Sequence, residues 1–161
     1  MNWEAIGAIG EIFGAIAVVI SLAYLATQIR QSNKMSRSQT SQNMIQLARQ
    51  EILAIAEPPE IWTAFTKPDL PMEQKIKLHQ WLMSSLRQRE YEWLTWKAGD
   101  IDSSMFEAYA GVIPIILGTE RTRRWWMNYG DTFYAPEFVA YVNVVLEDSP
   151  LTDFWESLEK W

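Results

Sequence analysis

The sequence predicts an all-α membrane protein, in which a single N-terminal transmembrane helix is followed by a cytoplasmic helical bundle. The first observation is a long apolar run from Ala5 to Ala26. The second is that apolar residues recur at helical spacing through most of the remaining chain. The third is that no pair of alternating apolar and polar segments marks a β-hairpin. With 161 residues, the chain has room for one ordinary soluble domain besides the apolar helix.

Composition excludes several classes of function. The chain has no cysteine, which excludes disulfides, thiolate catalysis and cysteine-ligated zinc or iron–sulfur centres. His79 is the single histidine, so a histidine-rich metal site is excluded, and no catalytic motif stands out. A net charge of −6 disfavours nucleic acid as a partner, because such binding needs a basic face. We therefore expect neither an enzyme nor a bound cofactor.

The apolar run has the length of a membrane span. As a helix, the segment from Ala5 to Ala26 would extend roughly 33 Å, against a hydrocarbon core of about 30 Å. Trp3 precedes the run and Tyr24 lies near its far end, where aromatic side chains anchor spans at the two interfaces. We predict a transmembrane helix within residues 1–29.

The charges on the two sides of the run differ. Residues 1–29 contain no lysine or arginine, whereas Arg30, Lys34 and Arg37 follow directly. By the positive-inside rule, the N-terminus is outside and the C-terminal part of the chain is cytoplasmic. Trp3, Arg30 and Lys34 are candidate contacts to lipid headgroups.

Three other interpretations of the run stay open. A cleaved signal peptide is disfavoured because no basic residue precedes the run and no A-x-A site follows it. A helix buried in a soluble bundle is favoured by Glu11, which interrupts the run, and by the low mean hydropathy of −0.14 for the chain. A helix lying on the membrane surface is disfavoured because its polar face lacks basic residues.

One face of the predicted span is small and polar, and the opposite face is large and apolar. Residues seven positions apart are separated by two helical turns less about 20°. They therefore lie on nearly the same face, which shifts slowly around the helix along the chain. In lipid, small residues let neighbouring helices approach closely. This face therefore predicts self-association into a homo-oligomer. It consists of Glu4, Gly7, Glu11, Gly14, Ser21 and Gln28.

Glu11 is the most informative residue of this face. It lies roughly 12 Å along the helix from Trp3, inside the hydrocarbon, where a charged side chain costs at least ~2.5–3.5 kcal/mol. No basic residue precedes Arg30, and no second apolar run of sufficient length supplies a neighbour within the chain. Copies of the same helix would separate Glu11 from the lipid, and their Glu11 side chains would form a ring of carboxylates that attracts cations. Two alternatives stay open: a packing role for a hydrogen-bonded Glu11, and a span that begins only at Ile12.

Beyond the span, residues 30–43 are rich in serine and glutamine and predict a polar linker or a helical stalk. We predict that residues 44–161 form the cytoplasmic helical domain. Its expected boundaries come from prolines, glycines and capping residues. The first predicted helix begins at Met44, has Leu47, Ala48, Ile52 and Ile55 on its inward face and ends at Pro58–Pro59, and a short segment around Ile61, Trp62 and Phe65 follows it. The next two helices run from Pro71 to about Ala98, where Gly99 stops the helix, and from a cap at Asp102 or Ser103 to an interruption at Pro114. The last three begin at Thr119, Pro136 and Thr152, and of these the first ends at Gly130 and the third at Trp161.

The tryptophans of this domain are expected in its core, because they recur at helical spacing with other apolar residues. Those expected to be buried are Trp62, Trp81, Trp93, Trp125 and Trp155. Trp126 and Trp161 are candidates for exposed docking residues.

Other candidate sites in the domain carry weaker signals. Arg121 and Arg124, with Arg123 between them, could hold a phosphate or an anionic lipid headgroup. Glu120 stands beside them, so a solvated face with ion pairs is the favoured interpretation. His79 is expected at the surface or with its hydrogen bonds satisfied. The acidic pairs Glu90 with Glu92 and Asp100 with Asp102 lack the spacing of metal ligands.

Two segments resemble a family of short uncharacterised bacterial membrane proteins: W-E-A-I-G-A-I-G-E-I-F-G-A-I-A-V-V-I-S-L-A-Y-L-A-T-Q-I-R-Q and R-R-W-W-M-N-Y-G-D-T-F-Y-A-P-E-F-V-A-Y-V. Members of that family look like one N-terminal membrane helix followed by a small helical domain. The resemblance implies a bacterial inner-membrane location and implies no activity.

Together these observations favour a small homo-oligomeric membrane protein that conducts cations past a ring of Glu11 side chains. The expected partners are membrane lipid, further copies of the chain and cations. The alternative is a membrane-anchored interaction module, in which the helix only anchors the chain and the helical domain binds a partner protein.

Overall fold

The computed structural model describes residues 2–56, 64–65 and 67–152, and for residues 5 and 54–56 it describes the backbone alone. These residues contain helices and no strand, so the all-α prediction is confirmed. The helices are α1 (Trp3–Ala56), α2 (Met72–Lys97), α3 (Ser103–Ala110), α4 (Ile113–Ile116), α5 (Glu120–Phe133) and α6 (Pro136–Glu147).

The chain divides into two units, Met1–Ser41 and Gln42–Trp161. In the first unit, the described residues belong almost entirely to α1, and their side chains are exposed up to position 39. Within the described residues, one helix is long and apolar enough to cross a membrane. Its segment Ile6–Leu53 contains an 18-residue window of mean hydropathy 2.2, none of which is buried within the chain. Its length and composition suit a membrane span or a signal sequence, whereas a helix in the core of the chain's own bundle would be buried.

Helix α1 continues without a break through the polar residues 30–43. One serine side chain in this part of the helix bonds back to the backbone: Ser41 Oγ donates to the carbonyl oxygen of Arg37 at 3.1 Å. The polar stretch is therefore helical. The stop expected at Pro58–Pro59 and the segment with Ile61 and Trp62 lie outside the described residues.

In the second unit, α2 is the longest helix after α1, and its inward row supplies much of the core. Leu78, Leu82 and Leu86 recur every four residues and are each at most 4% exposed. The other buried apolar residues pack with them in one cluster. They include Met44, Phe65, Trp93, Phe106, Ile113, Leu117, Trp126, Phe138, Val142 and Leu146.

The predicted bounds of α2 are confirmed. Pro71 stands at its N-cap position, and the helix ends at Lys97 with Ala98 as its C-cap. Gly99 follows with φ of +78°, a left-handed conformation that glycine adopts without strain and that commonly terminates helices.

The residues that cap the next helices are also as expected, but one helix divides in two. Asp102 caps α3, because its Oδ1 accepts a hydrogen bond from the amide of Met105 at 2.8 Å. The helix then ends at Ala110, and Pro114 stands in the first turn of the separate helix α4. Proline lacks the amide that a continuous helix would need here. Pro136 begins α6 as predicted.

The prediction that Gly130 ends the helix begun by Thr119 is wrong. Thr119 caps α5, but the helix continues to Phe133. A Cβ atom at position 130 would lie 3.1 Å from the ring of Trp126. The glycine therefore allows a ring to lie against the helix backbone and does not terminate the helix. Trp126 itself is 3% exposed, so its expected role in surface docking is also wrong.

The inward face predicted for the end of α1 is partly wrong. Met44 is fully buried, Ala48 is half-buried and Glu51 is largely buried, so the inward row follows positions 44, 48 and 51. Leu47 and Ile52 are 38% and 67% exposed. The row turns toward Glu51 because that carboxylate pairs with α2. The side chain of residue 55 lies outside the described part of the chain.

The expected core tryptophans are described in part. Trp93 and Trp125 are buried, and Trp81 is half-buried against Phe65 with the two rings 5.2 Å apart. The amide of Thr152 donates to the carbonyl oxygen of Gly118 at 3.0 Å. The helix predicted after Thr152, with Trp155 and Trp161, lies outside the described residues, as does Trp62.

Candidate functional site

The predicted oligomer face lies along one side of α1. Glu4, Gly7, Glu11, Gly14, Ser21 and Gln28 are all exposed. A Cβ atom added at position 7, 10 or 14 would meet nothing within 4 Å. These glycines therefore make no close packing contact with the part of the chain that the structure describes.

Two of the polar side chains on this face are satisfied inside the helix. Ser21 Oγ donates to the carbonyl oxygen of Ala17 at 2.8 Å, and the side-chain amide of Gln28 donates to the hydroxyl oxygen of Tyr24 at 2.9 Å. Glu11 has no hydrogen bond or ion pair to any residue that the structure describes.

The predicted lipid contacts of the first unit are exposed on the same helix. Trp3 is 71% exposed, and Arg30 and Lys34 are exposed as well. From Trp3 to Arg30 the helix extends about 40 Å, close to the thickness of a bilayer including its headgroup regions. The spacing of these residues therefore suits contact with both interfaces.

The second unit contains a buried polar cluster that the sequence analysis missed. This Arg89 cluster consists of Glu51 on α1 with Ser85, Gln88, Arg89 and Glu92 on α2. The guanidinium of Arg89 lies 2.8 Å from Glu51 Oε2 and 3.0 Å from Glu92 Oε2. Ser85 Oγ donates to Glu51 Oε1, and Gln88 Nε2 donates to Glu92 Oε1 at 3.1 Å. Two carboxylates thus share one guanidinium in the interior.

The acid of this cluster that titrates near neutral pH is Glu92, whose side chain is 1% exposed. Burial raises the pKa of Glu92 to about 6, although Arg89 and then Gln88 act to lower the pKa, and Glu51 raises it. The contact between Arg89 Nε and Glu92 Oε2 is an ion pair rather than a well-directed hydrogen bond. Burial also raises the pKa of Tyr109, and the charge of Glu92 adds to that effect.

The raised pKa of Glu92 predicts a pH dependence of stability. Its folded-state pKa of about 6 exceeds the ordinary value of 4.5, so the folded chain binds this proton more tightly than the unfolded chain does. The stabilisation is complete below pH 4.5 and is lost as the pH rises through 6. The difference is about 2 kcal/mol in the free energy of unfolding. Chemical unfolding at several pH values will measure this change.

A Glu92→Gln variant isolates this contribution. Between pH 4.5 and 7, we expect the free energy of unfolding of this variant to fall by about 2 kcal/mol less than that of the parent. Glu107→Gln, a substitution of an exposed acid on α3, should follow the parent curve. Parallel curves for the parent and Glu92→Gln would contradict this assignment.

The neighbouring acid, Glu90, has a separate structural role. Glu90 Oε1 accepts a hydrogen bond at 2.7 Å from the amide of Ala135, just before α6, and Oε2 pairs with Arg87. The guanidinium of Arg87 also lies 4.8 Å from the centre of the Tyr134 ring. Glu90 and Glu92 are therefore not a paired site, and the described residues contain no cluster of three or more potential metal ligands.

A groove of about 850 Å³ lies between α2 and α5. One wall is held by Arg121, which donates hydrogen bonds to the carbonyl oxygens of Ala64, Lys67 and Pro68. Arg121 therefore stabilises the polypeptide before α2 in place of the predicted ion-paired surface. Arg124 lines the groove, is exposed and has no partner among the described residues.

The third arginine of this group does not reach the groove. Arg123 donates to the carbonyl oxygens of Leu117 at 3.0 Å, Leu146 at 3.2 Å and Ser149 at 3.2 Å. These bonds satisfy backbone groups where α4 and α6 end. The three arginines thus have different environments, which their adjacency in the sequence does not indicate.

His79 is half-buried in the groove wall, with its hydrogen bonding partly satisfied as expected. Its Nδ1 accepts a hydrogen bond from the indole nitrogen of Trp125 at 2.8 Å. Because an indole N–H can only donate, this histidine is the tautomer that carries its proton on Nε2. The rings of Trp125, Tyr129 and Phe133 surround it at centroid distances of 5.2–6.0 Å.

Comparison of the chain with models of protein families, with curated proteins and with solved structures gave no match. The structure is that of an all-α protein with one long apolar N-terminal helix and a separate helical unit.

A sequence signal for the Arg89 cluster exists in the pattern of α2. Ser85, Arg89 and Glu92 fall on the same row as Leu78 and Leu82, at intervals of three or four residues. Charged residues on an otherwise apolar row predict buried ion pairs. The partner on α1 is far away in the sequence, and no local pattern identifies it.

Proposed function

We propose that this protein is a membrane-anchored homo-oligomer that conducts cations. In this proposal α1 crosses the bilayer, and its face of small and acidic residues contacts further copies of α1. The observation that carries the proposal is Glu11, an exposed carboxylate in the apolar part of the helix without a partner in the described chain.

The physical argument concerns the surroundings of Glu11 in a bilayer. A charged side chain in the hydrocarbon is unfavourable by at least ~2.5–3.5 kcal/mol, so acids in spans face partners or water-filled cavities. Gly7 and Gly14 leave room beside Glu11 for a neighbouring backbone. Several copies packed through this face would bring their Glu11 side chains together as an acidic ring. Such rings attract cations and exclude anions.

The proposed orientation follows the distribution of charge. No lysine or arginine precedes Arg30, so the N-terminus is placed outside and the helical domain in the cytoplasm. We propose the bacterial inner membrane as the location, in keeping with the resemblance of the two sequence segments. Membrane lipid and further copies of the chain are then the principal partners.

Cation flux into liposomes that contain the purified protein tests this function. Glu11→Gln keeps the shape of the side chain and removes its charge, so we expect cation flux to fall by tenfold or more while the mass of the complex in detergent is unchanged. Glu107→Gln removes an acid from the helical domain and should leave flux at the parent level.

Equal flux through the parent and Glu11→Gln would contradict a role for the carboxylate ring. Absence of flux through both proteins would favour the second candidate, a membrane-anchored interaction module whose helical domain binds a partner protein. The compact helical unit Gln42–Trp161 is the observation that favours this second candidate.

A further inference from the structure

We propose that the groove between α2 and α5 binds a small aromatic carboxylate, with Lys75 and Arg124 holding the carboxylate and Tyr129 contacting the ring. This inference goes beyond the proposed function, because the groove lies in the helical unit and none of the α1 oligomer face takes part in it. It rests on the charge, the lining and the size of the groove.

The charge of the groove is opposite to that of the chain. The chain has a net charge of −6, whereas the groove lining includes Lys75, Arg121 and Arg124 against one acid, Glu120. Arg121 is committed to backbone carbonyl oxygens. Lys75 and Arg124 are exposed and have no partner among the described residues. Two cations from different helices thus line the groove, and each could form a charge-assisted hydrogen bond with an anionic group there.

The apolar part of the lining is rich in rings. Tyr129 is 40% exposed, and its ring lies 5.5 Å from that of Trp125 and 5.2 Å from that of His79. Ile76, 46% exposed, adds aliphatic surface from α2. Aromatic rings favour edge-to-face and offset contacts, so this wall suits a planar ring.

The size of the groove limits the ligand. Sites for small molecules usually enclose about 300–1,000 Å³, are mostly apolar and carry a few polar groups that fix orientation. A volume of about 850 Å³ falls within this range. The combination of two free cations with a ring-lined wall selects a molecule with one anionic end and one apolar end.

The test uses the full-length protein in nanodiscs of zwitterionic lipid, with naphthalene-2-carboxylate as the probe and empty nanodiscs as the background. Saturation-transfer NMR titrations should show saturable binding. Arg124→Ala and Lys75→Ala should each weaken this binding roughly tenfold, as expected for loss of a charge-assisted hydrogen bond. Arg49→Ala removes an exposed arginine outside the groove and should leave the affinity unchanged.

Two competitors separate this proposal from its rivals. Naphthalene-2-carboxamide, which keeps the ring and loses the charge, should bind at least tenfold more weakly than the carboxylate. Inorganic phosphate should not displace the probe at equal concentration. Equal affinity for the amide, displacement by phosphate, or absence of saturable binding would each overturn the proposal. Unchanged thermal unfolding of the two variants confirms that a loss of binding is not a loss of fold.

Discussion

Replacing Arg89 with alanine is expected to lower the free energy of unfolding of the helical unit by about 3–5 kcal/mol. The guanidinium is 4% exposed and neutralises Glu51 and Glu92, which are 19% and 1% exposed. Its removal leaves two carboxylates without compensation in a region of low dielectric constant. Near-UV circular dichroism will report the unfolding, because buried tryptophans lie in this unit and the apolar helix contributes little to that signal.

The expected shift of the melting temperature is on the order of 10 °C at pH 7. The shift should become smaller on acidification, because Glu92 takes up a proton near pH 6 and no longer requires a counter-charge. Lys97→Ala is the matched control. It removes an exposed ion pair in which Lys97 Nζ lies 2.7 Å from Glu137 Oε2, and such exposed pairs contribute little to stability.

A triple variant distinguishes lost charge compensation from lost packing. The combined substitutions Glu51→Leu, Arg89→Met and Glu92→Leu remove every charge of the cluster and keep similar side-chain volumes. Apolar replacement of a complete buried ion network is often neutral or stabilising. We therefore expect the triple variant to be clearly more stable than Arg89→Ala. A triple variant as unstable as the single one would show that packing, not charge, explains the effect.

Replacing Gly14 with leucine is expected to dissociate the proposed oligomer. The large side chain would occupy the space that a neighbouring helix backbone needs, and association in lipid depends on such close packing. Light scattering on the protein in detergent should then show a monomer in place of the oligomer. The chain itself would accept this side chain, because a Cβ atom at position 14 meets nothing within 4 Å.

Ala23→Leu is the matched control for Gly14→Leu. It introduces the same side chain on the opposite face of α1, which carries Ile9, Ile16 and Ile20. This variant should assemble like the parent, because in the proposal that face contacts lipid. An unchanged oligomer in Gly14→Leu would show that the wrong face has been assigned.

Local signals predict much of the helical unit. Pro71 and Gly99 bound α2, Asp102 caps α3 and Pro136 begins α6, because proline, glycine and capping side chains act on the backbone within a few residues. The same logic misplaces the end of α5. Gly130 is a residue type that often ends helices, but here the lack of a side chain leaves room for the ring of Trp126, four residues earlier.

The features that local signals do not predict arise from contacts between distant residues. Glu51 and Arg89 meet across two helices, and no spacing rule relates them. The buried row of residues at the end of α1 therefore includes Glu51, and Ile52 is exposed. Trp126 likewise is buried in the core, and its indole N–H donates to the side chain of Asn143 on α6 at 2.9 Å. For the face of α1, the sequence pattern predicts contacts to other copies, and one chain alone contains none of them.

Disulfide cross-linking in native membranes tests the central claim most directly. The chain has no cysteine, so each introduced cysteine is unique. Two variants, Gly7→Cys and Gly14→Cys, probe the proposed oligomer face, and Ile9→Cys and Ile16→Cys probe the opposite side of the helix two residues further on. We expect covalent dimers for the first pair and monomers for the second. Equal cross-linking of both pairs, or cross-linking of the isoleucine positions alone, would contradict it.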